Sequence, residues 1–375
     1  MKGLAITHKG IEDISALEID ELIKQKAEIR DQCVVFPIKK LEDLCSLCYK
    51  AQSLARVLLL VDNFEIDADL LKEAKEKILR LNLKDWLQNR KFVVRCLKQD
   101  FENATTPEIE SSVGEFLLEN ARGNKLKAKV DLREQDIIFL CYINKNYFYL
   151  GIDFSGFDLS KRYYKLFQHP ESLKGNIAYS LLRIADYKPR QLLVDPFSGS
   201  GIIPIEAACY SYNFPVNYFI KDKFAFLKFM KFNFNSIDKK IKTPGKVAIL
   251  GFDHNPLYVE SAKKNATIAG VNKYVSFSRI AVEWHDTKLE ESSVDVIVGN
   301  PPSASKIMPE KEIRKLYQEL FYQADFILAN KGRIVLASRD PELSLDAAEK
   351  SNFRVKEKRE IYAGHQLLKV ILFER

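Results

Sequence analysis

The sequence lacks a long apolar run. A membrane-spanning helix needs roughly 18 or more consecutive apolar residues. The strongest run here, Ala55 to Val61, is far shorter and contains Arg56. The opening residues, MKGLAITHKGIEDIS, hold no apolar core before their first acids, so no secretory signal is expected. A soluble, cytoplasmic protein is the expectation. Cysteine is sparse and unpatterned. Of Cys33, Cys45, Cys48, Cys96, Cys141 and Cys209, only Cys45 and Cys48 form a CxxC, in LEDLCSLCYKAQSLARVLL, a stretch of helical periodicity. No second CxxC or paired histidines supply the rest of a zinc site, so no metal is expected. These cysteines read as packing residues, and a disulfide framework is not expected. There is no block of five like charges, no low-complexity tract and no internal repeat, which excludes a charged tail and a repeat array.

What is present fits two or three globular domains. The chain has 375 residues, 46% of them hydrophobic, enough for an ordinary core in each domain. The net charge of +7 is compatible with a polyanionic partner, and equally with an ordinary basic protein.

Three regions differ in pattern. Residues 1–65 read as a small α/β unit, with strands at Leu4–Ile6, Cys33–Phe36 and Val57–Val61 and helices at Ile11–Lys26 and Leu41–Ala55. Residues 66–165 begin with the amphipathic helix LLKEAKEKILRL and the strand FVVRCLK. Pro107 then sits in the first turn of a further helix. Strands are expected at Val130–Leu132, IIFLCYIN and NYFYLGIDF, with a hairpin turn at Asn144–Asn146. Residues 166–188 read as a linker helix. From 189 to 375 strands and helices alternate. Strands are expected at Gln191–Asp195, Val247–Phe252, Val275–Ser278, Val294–Val298 and Arg333–Ala337, the signature of a parallel sheet covered on both faces. Arg354–Arg359 and Leu367–Phe373 have no adequate helix between them and are expected to pair as an antiparallel hairpin.

Two motifs carry chemistry. The first is LLVDPFSGSGIIPIEAA, Leu192–Ala208, a strand ending at Asp195, a glycine loop and a helix with Pro204 in its first turn. Gly199 and Gly201 let the backbone approach a ligand closely, and the helix start offers free N–H groups to an anion. A dinucleotide fingerprint fails, because Pro204 stands at its third glycine and the next strand-end acid, Asp253, is too distant. A P-loop fails because no Gly-Lys-Ser/Thr follows. S-adenosylmethionine fits better, with its methionine end beside Asp195, Phe197, Ser198, Gly199, Ser200 and Gly201. Asp253 ends the next strand and is the candidate for the ribose hydroxyls, with an ordinary loop acid as the bland reading. His254 follows it. Asn255-Pro256 then caps a helix whose Val259, Ala262, Ala266 and Ala269 share a face.

The second motif is Asn300-Pro301-Pro302-Ser303, directly behind the apolar strand VDVIV. Consecutive prolines leave carbonyls without neighbouring N–H groups. An exocyclic base amine can donate to the Asn300 side chain and to the Pro301 carbonyl, which aims its nitrogen lone pair at a methyl group. Alignment is then the main catalytic contribution, since asparagine is no base. Asn-Pro alone is a common turn; behind a strand, and after the glycine loop, it points to a methyltransferase.

With these motifs the chain resembles the THUMP-domain RNA methyltransferases, and among them the archaeal and bacterial enzymes that form N2-methylguanosine at position 6 of tRNA. The likeness runs from GIEDISALEIDEL through FVVRCLKQDFENATTPEIESSVGEFLLENARGNKLKAKVDLREQDIIFLCYINKNYFYLGIDFSG to DPFSGSG and NPP. The resemblance implies an N-terminal ferredoxin-like domain over 1–65, a THUMP domain over 66–165, a linker over 166–188 and a Rossmann-fold methyltransferase domain over 189–375. It implies that THUMP holds the 3′ end of tRNA while the acceptor stem reaches the active site; a monomer is the expected state. Lys127, Lys129, Arg133, Lys161 and Arg162 are candidates for phosphate contacts, or else solvated charges. A target base in a duplex must leave its stack to be methylated.

The chain departs from the resemblance at two places. Ser303 stands where an aromatic usually stacks on the target base, and Phe197 and Tyr317 are candidates to replace it. Ala281, followed by Val282, stands where an acid usually meets the adenine amine, with Glu283 and Asp286 nearby. His169, His254 and His365 show no partner in sequence for a triad or metal site. The alternatives are a ribosomal RNA guanine-N2 or an adenine-N6 methyltransferase, a catalytically weakened RNA-binding protein, or, leaving the first 165 residues without a purpose, a small-molecule methyltransferase. On this reading, deleting residues 1–165 removes RNA affinity but spares cofactor binding.

Overall fold

The computed structural model describes residues 1–243, 248–305, 308–339, 341–364 and 366–375. His365 and Val247, the first residue of an expected strand, lie outside them. No described helix is long and apolar enough to cross a membrane.

The first half is built on one eight-stranded sheet. Its elements are β1 (Lys2–Ile6), α1 (Glu12–Ile23), β2 (Glu28–Arg30), β3 (Cys33–Pro37), α2 (Leu41–Lys50), β4 (Arg56–Glu65), α3 (Leu70–Ile78), α4 (Lys84–Leu87), β5 (Arg90–Gln99), α5 (Thr106–Gly123), β6 (Ala128–Val130), β7 (Ile137–Asn144) and β8 (Tyr147–Asp153). The strand order is β2-β3-β1-β4-β8-β7-β5-β6. β4 pairs with β8, so residues 1–65 and the following unit share a sheet and one hydrophobic core. Helix α5 starts as its sequence dictates. Thr105 accepts from the Glu108 N–H, Glu108 reaches back to the Thr105 N–H, and Pro107 sits in the first turn.

Local differences have local causes. The strand expected over Val130–Leu132 ends at Val130, because the Asp131 carboxylate accepts from the Arg133 and Glu134 N–H groups and turns the chain. Edge strand β2 is exposed and lacks an apolar pattern to announce it. Helix α2 stops at Lys50, short of the expected Ala55. All six cysteines are buried.

The second half carries α6 (Gly175–Ile184), β9 (Leu193–Asp195), α7 (Ile202–Ser211), α8 (Asn235–Asp238), β10 (Ile249–Asp253), α9 (Pro256–Ala269), β11 (Ser276–Arg279), β12 (Val294–Gly299), α10 (Glu310–Ile327), β13 (Leu328–Ser338), α11 (Pro341–Lys350), β14 (Arg354–Ala363) and β15 (Gln366–Glu374). Its seven-stranded sheet runs β11-β10-β9-β12-β13-β15-β14. The first five are parallel, and β15 runs antiparallel to β13 and β14. This is the expected α/β arrangement, a parallel sheet with an antiparallel last strand. Strand order reverses between β9 and β12, which opens a crevice at their carboxyl ends.

The halves are locked together by buried groups. Phe224 and Phe226, from the second half, lie in the core of the first, while Ile11 and Ile14 pack in the core of the second. Arg162 pairs with Glu206 of α7 at 2.7 Å, both side chains fully buried. Gln52 Nε2 and the Tyr164 hydroxyl also donate to the Glu206 carboxylate. Arg162 is therefore not an RNA-facing residue. Its guanidinium is consumed by Glu206 and by the carbonyls of Gln52 and Leu159. The other basic candidates, Lys127, Lys129, Arg133 and Lys161, are exposed.

Candidate active site

The glycine loop sits at the crevice between β9 and β12. Gly201 caps α7 with φ of 83°, and a Cβ there would meet Ala262 Cβ and the Phe277 ring at 2.9 Å. Only glycine fits both the backbone and the space. Gly199 also has positive φ, 48°, and a Cβ would approach the His169 ring at 3.2 Å. The Gly199 N–H donates to Asp253 Oδ2 at 3.0 Å, and the Asn255 N–H to Asp253 Oδ1 at 2.8 Å. Asp253 thus ties the loop to the end of β10. A carboxylate has about four acceptor positions, so each oxygen keeps capacity for a hydroxyl.

Asp195, Phe197, Ser198, Gly199 and Ser200 line one pocket together with His169, Glu171, Ser172, Leu173 and Asn300. Asp195 is buried and accepts from the Phe197 N–H at 3.1 Å. Burial, reinforced by the charge of Asp253, pushes its carboxyl well above the usual range. Ser198 Oγ is buried with no hydrogen-bond partner among the described residues. A buried carboxylate and an unsatisfied hydroxyl beside a glycine cradle suit a ligand end that carries an ammonium and a carboxylate. S-adenosylmethionine has such an end.

The remaining cofactor candidates are placed differently. Gly201 caps α7 behind the loop, and Asp253 touches the loop without lining this pocket. The His254 side chain is 71% exposed, 3.6 Å from Asp253 Oδ1. Ala281 lies just past the end of β11, where the Ile280 N–H donates to the Asp253 carbonyl. Val282 is buried in the core beside Phe252.

Asn300 follows β12 directly and lines a second pocket as well. This cavity of about 190 Å³ is bounded by Glu171, Leu173, Lys174, Pro301, Ser303, Arg339 and Gln366, among others. The two pockets meet at Glu171–Leu173 and Asn300. Asn300 Nδ2 donates to the Glu171 carbonyl at 2.9 Å, which leaves Oδ1 as the acceptor. Pro301 is buried and lines the second pocket, and Pro302, half-buried, does not.

Of the candidates for the missing aromatic, Tyr317 is buried on α10 with its hydroxyl 2.8 Å from Ser338 Oγ, so it is a core residue and presents no face to a base. Phe197 lines the first pocket, not the second.

The linker helix expected over 166–188 forms only as α6, Gly175–Ile184, and the 167–174 stretch before it is a loop that forms a wall of both pockets. Asn265 on α9 holds it. Its amide donates to the carbonyls of Phe167 and Ser200 and accepts from the Phe167 N–H. The available signal was a polar residue among Val259, Ala262 and Ala266 on the buried face of α9. Ser172 Oγ adds a contact to Ser200 Oγ at 3.1 Å. His169, read as a loop residue, packs edge-on to Tyr258 and lines the first pocket.

Comparison with known proteins agrees with this arrangement. The RMKL-like methyltransferase domain family matches residues 162–369, and the THUMP domain family matches residues 69–153. The tRNA (guanine(6)-N2)-methyltransferase of Methanocaldococcus jannaschii is 30% identical over 370 residues, 96% of each chain. The protein of the same name from Archaeoglobus fulgidus is 26% identical over 97% of this chain and 90% of its own. The crystal structure of a putative methyltransferase complexed with SAH shares the fold, with a TM-score of 0.83 and 20% identity over 100% of this chain and 97% of that one. A family match over most of the second half, joined to a relative that matches end to end, leaves one conclusion: the chain belongs to the THUMP-domain RNA methyltransferases, RMKL-like in its catalytic half, and its cofactor is S-adenosylmethionine.

Proposed function

We propose that this protein methylates the exocyclic N2 amine of a guanosine in tRNA, at position 6 in the acceptor stem. The observation that carries this reading is Asn300, set where two pockets meet and oriented by the Glu171 carbonyl. The names of the archaeal relatives support the choice of base and position.

The cofactor supplies an electrophilic methyl group on a sulfonium sulfur. Asp195, Ser198 and the glycine loop would hold its methionine end, and Asp253 the ribose. On the other side Asn300 Oδ1 accepts one amine hydrogen and the Pro301 carbonyl the other. Held by both hydrogens, the amine has one orientation for its lone pair, and positioning of this kind is worth several powers of ten in rate. Asn300 takes no proton; the amine sheds its own after the methyl group arrives. Exposed Lys127, Lys129, Arg133 and Lys161 supply phosphate contacts for the tRNA.

The test is incubation with labelled S-adenosylmethionine and unmodified tRNA, followed by nucleoside mass spectrometry and position mapping. N2-methylguanosine at position 6 is expected. N6-methyladenosine, or methylation of ribosomal RNA alone, overturns the choice of substrate. Cofactor binding without transfer to any RNA overturns the catalytic reading.

A further inference from the structure

A base drawn out of a helix loses its stacking partners, at a cost of a few kcal/mol. A pocket that accepts it recovers this most directly with a flat partner. Among the described residues lining the cavity beside Asn300, none is aromatic. Leu173, Ile177, Ala363 and Leu368 are aliphatic walls. Arg339 is the exception in kind, because a guanidinium is planar, delocalised and stacks on bases.

Arg339 is placed and braced for this. It follows the last residue of β13, at the same sheet edge where Asn300 follows β12; the two strands are parallel neighbours, with Gly299 opposite Leu336. Its side chain is exposed to the cavity mouth. The side-chain amide of Gln366, the first residue of β15, lies against the guanidinium; assigned with its oxygen toward Arg339, the orientation that satisfies both groups, it accepts from Nε at 2.8 Å and Nη2 at 2.6 Å. Two bonds to one acceptor hold a long side chain in one plane and reduce the entropy lost on binding. They occupy one edge of the guanidinium, and a base stacks on a face.

We propose that Arg339, clamped by Gln366, is the stacking platform for the extruded target base. The proposal rests on the base-methylating function above and adds the residue that holds the base. Lys174 lines the same cavity but carries a point charge, not a plane.

The experiment compares wild type with Arg339→Ala and Arg339→Lys on a tRNA transcript, and adds Ser303→Tyr to the Arg339→Ala variant. Both single variants are expected to lose about 10- to 100-fold in kcat/KM for RNA, the range for one base stack. S-adenosylmethionine affinity and Tm are expected to stay at wild-type values. Ser303 lines the same cavity, so a tyrosine there supplies a ring and is expected to restore part of the loss. Full activity in Arg339→Lys overturns the proposal in favour of a phosphate contact, and full activity in Arg339→Ala overturns it outright. A second readout is independent of turnover: fluorescence of a transcript with 2-aminopurine at position 6. A rise with wild type and a smaller rise with Arg339→Ala support the platform. No rise with wild type overturns both the platform and the target position, whereas equal rises overturn the platform alone.

Discussion

The side-chain amide of Asn300 donates to the backbone carbonyl of Glu171 at 2.9 Å, across 129 residues of sequence. This bond engages Nδ2 and leaves Oδ1 as the acceptor, the end proposed to meet the substrate amine. Asn300→Ala removes the acceptor and is expected to lower kcat by about 100-fold or more, as for loss of one group that acts at the transition state. Cofactor affinity is expected to change little. Asn300→Asp keeps an acceptor but sets a carboxylate against the Glu171 carbonyl, so it is expected to be no better than alanine. Single-turnover kinetics with calorimetric cofactor titration checks both. Near-normal transfer by Asn300→Ala contradicts the assignment.

Burial raises the Asp195 carboxyl, so cofactor binding beside it is expected to depend on pH. A ligand cation beside Asp195 favours its ionised form, so binding lowers the pKa and releases a proton. Affinity is expected to rise with pH across the range where the free protein still holds that proton. Titrations in buffers of different ionisation heat measure the release, and Asp195→Asn is expected to abolish it. Proton uptake on binding has the opposite sign and contradicts the placement.

His285 sets an acid limit on stability. Burial pushes its imidazole down to about 4, and its Nε2 has no hydrogen-bond partner among the described residues. Unfolded, it takes a proton near 6.5, so between these values the unfolded chain binds more protons. Its contribution is full above about 6.5 and is lost as pH falls toward 4, a loss of up to about 3 kcal/mol. Asp195 and Glu18, raised by burial, act in the opposite sense and gain stability in acid. Urea unfolding of His285→Leu beside wild type at pH 7 and 4.5 isolates the histidine; the variant is expected to show the smaller drop. An equal drop in both refutes the attribution.

The Arg162–Glu206 pair joins the halves and, because it is buried, is costly to break from one side. Arg162→Ala is expected to destabilise the protein by about 3–5 kcal/mol, since it leaves a buried charge unpaired. Replacing both partners with apolar residues is expected to cost less. For the same reason, removing residues 1–165 is expected to give an unfolded or aggregating chain, not the cofactor-binding fragment that the sequence pattern suggests. It strips Glu206 of Arg162 and bares Phe224 and Phe226. Circular dichroism and cofactor titration of residues 166–375 check this, and a folded, binding fragment contradicts it.

Sequence alone determined what depends on local chemistry. The strand-loop-helix around Asp195, the Asn255-Pro256 cap and the placement of Asn300 behind a strand are set by residues adjacent in the chain. The last strand runs antiparallel as expected, because too few residues separate β14 and β15 for a crossover. Only the tertiary structure decided what depends on partners distant in sequence. Arg162 looked like one more surface cation until Glu206, 44 residues away, was placed beside it. Tyr317 looked available until the core closed over it, and Arg339 carried no signal until β13 and β15 brought it to Gln366 and the Asn300 cavity. A residue's type fixes the interactions it can make; which of them are satisfied internally, and which remain for a ligand, is settled when non-local strands and helices pack.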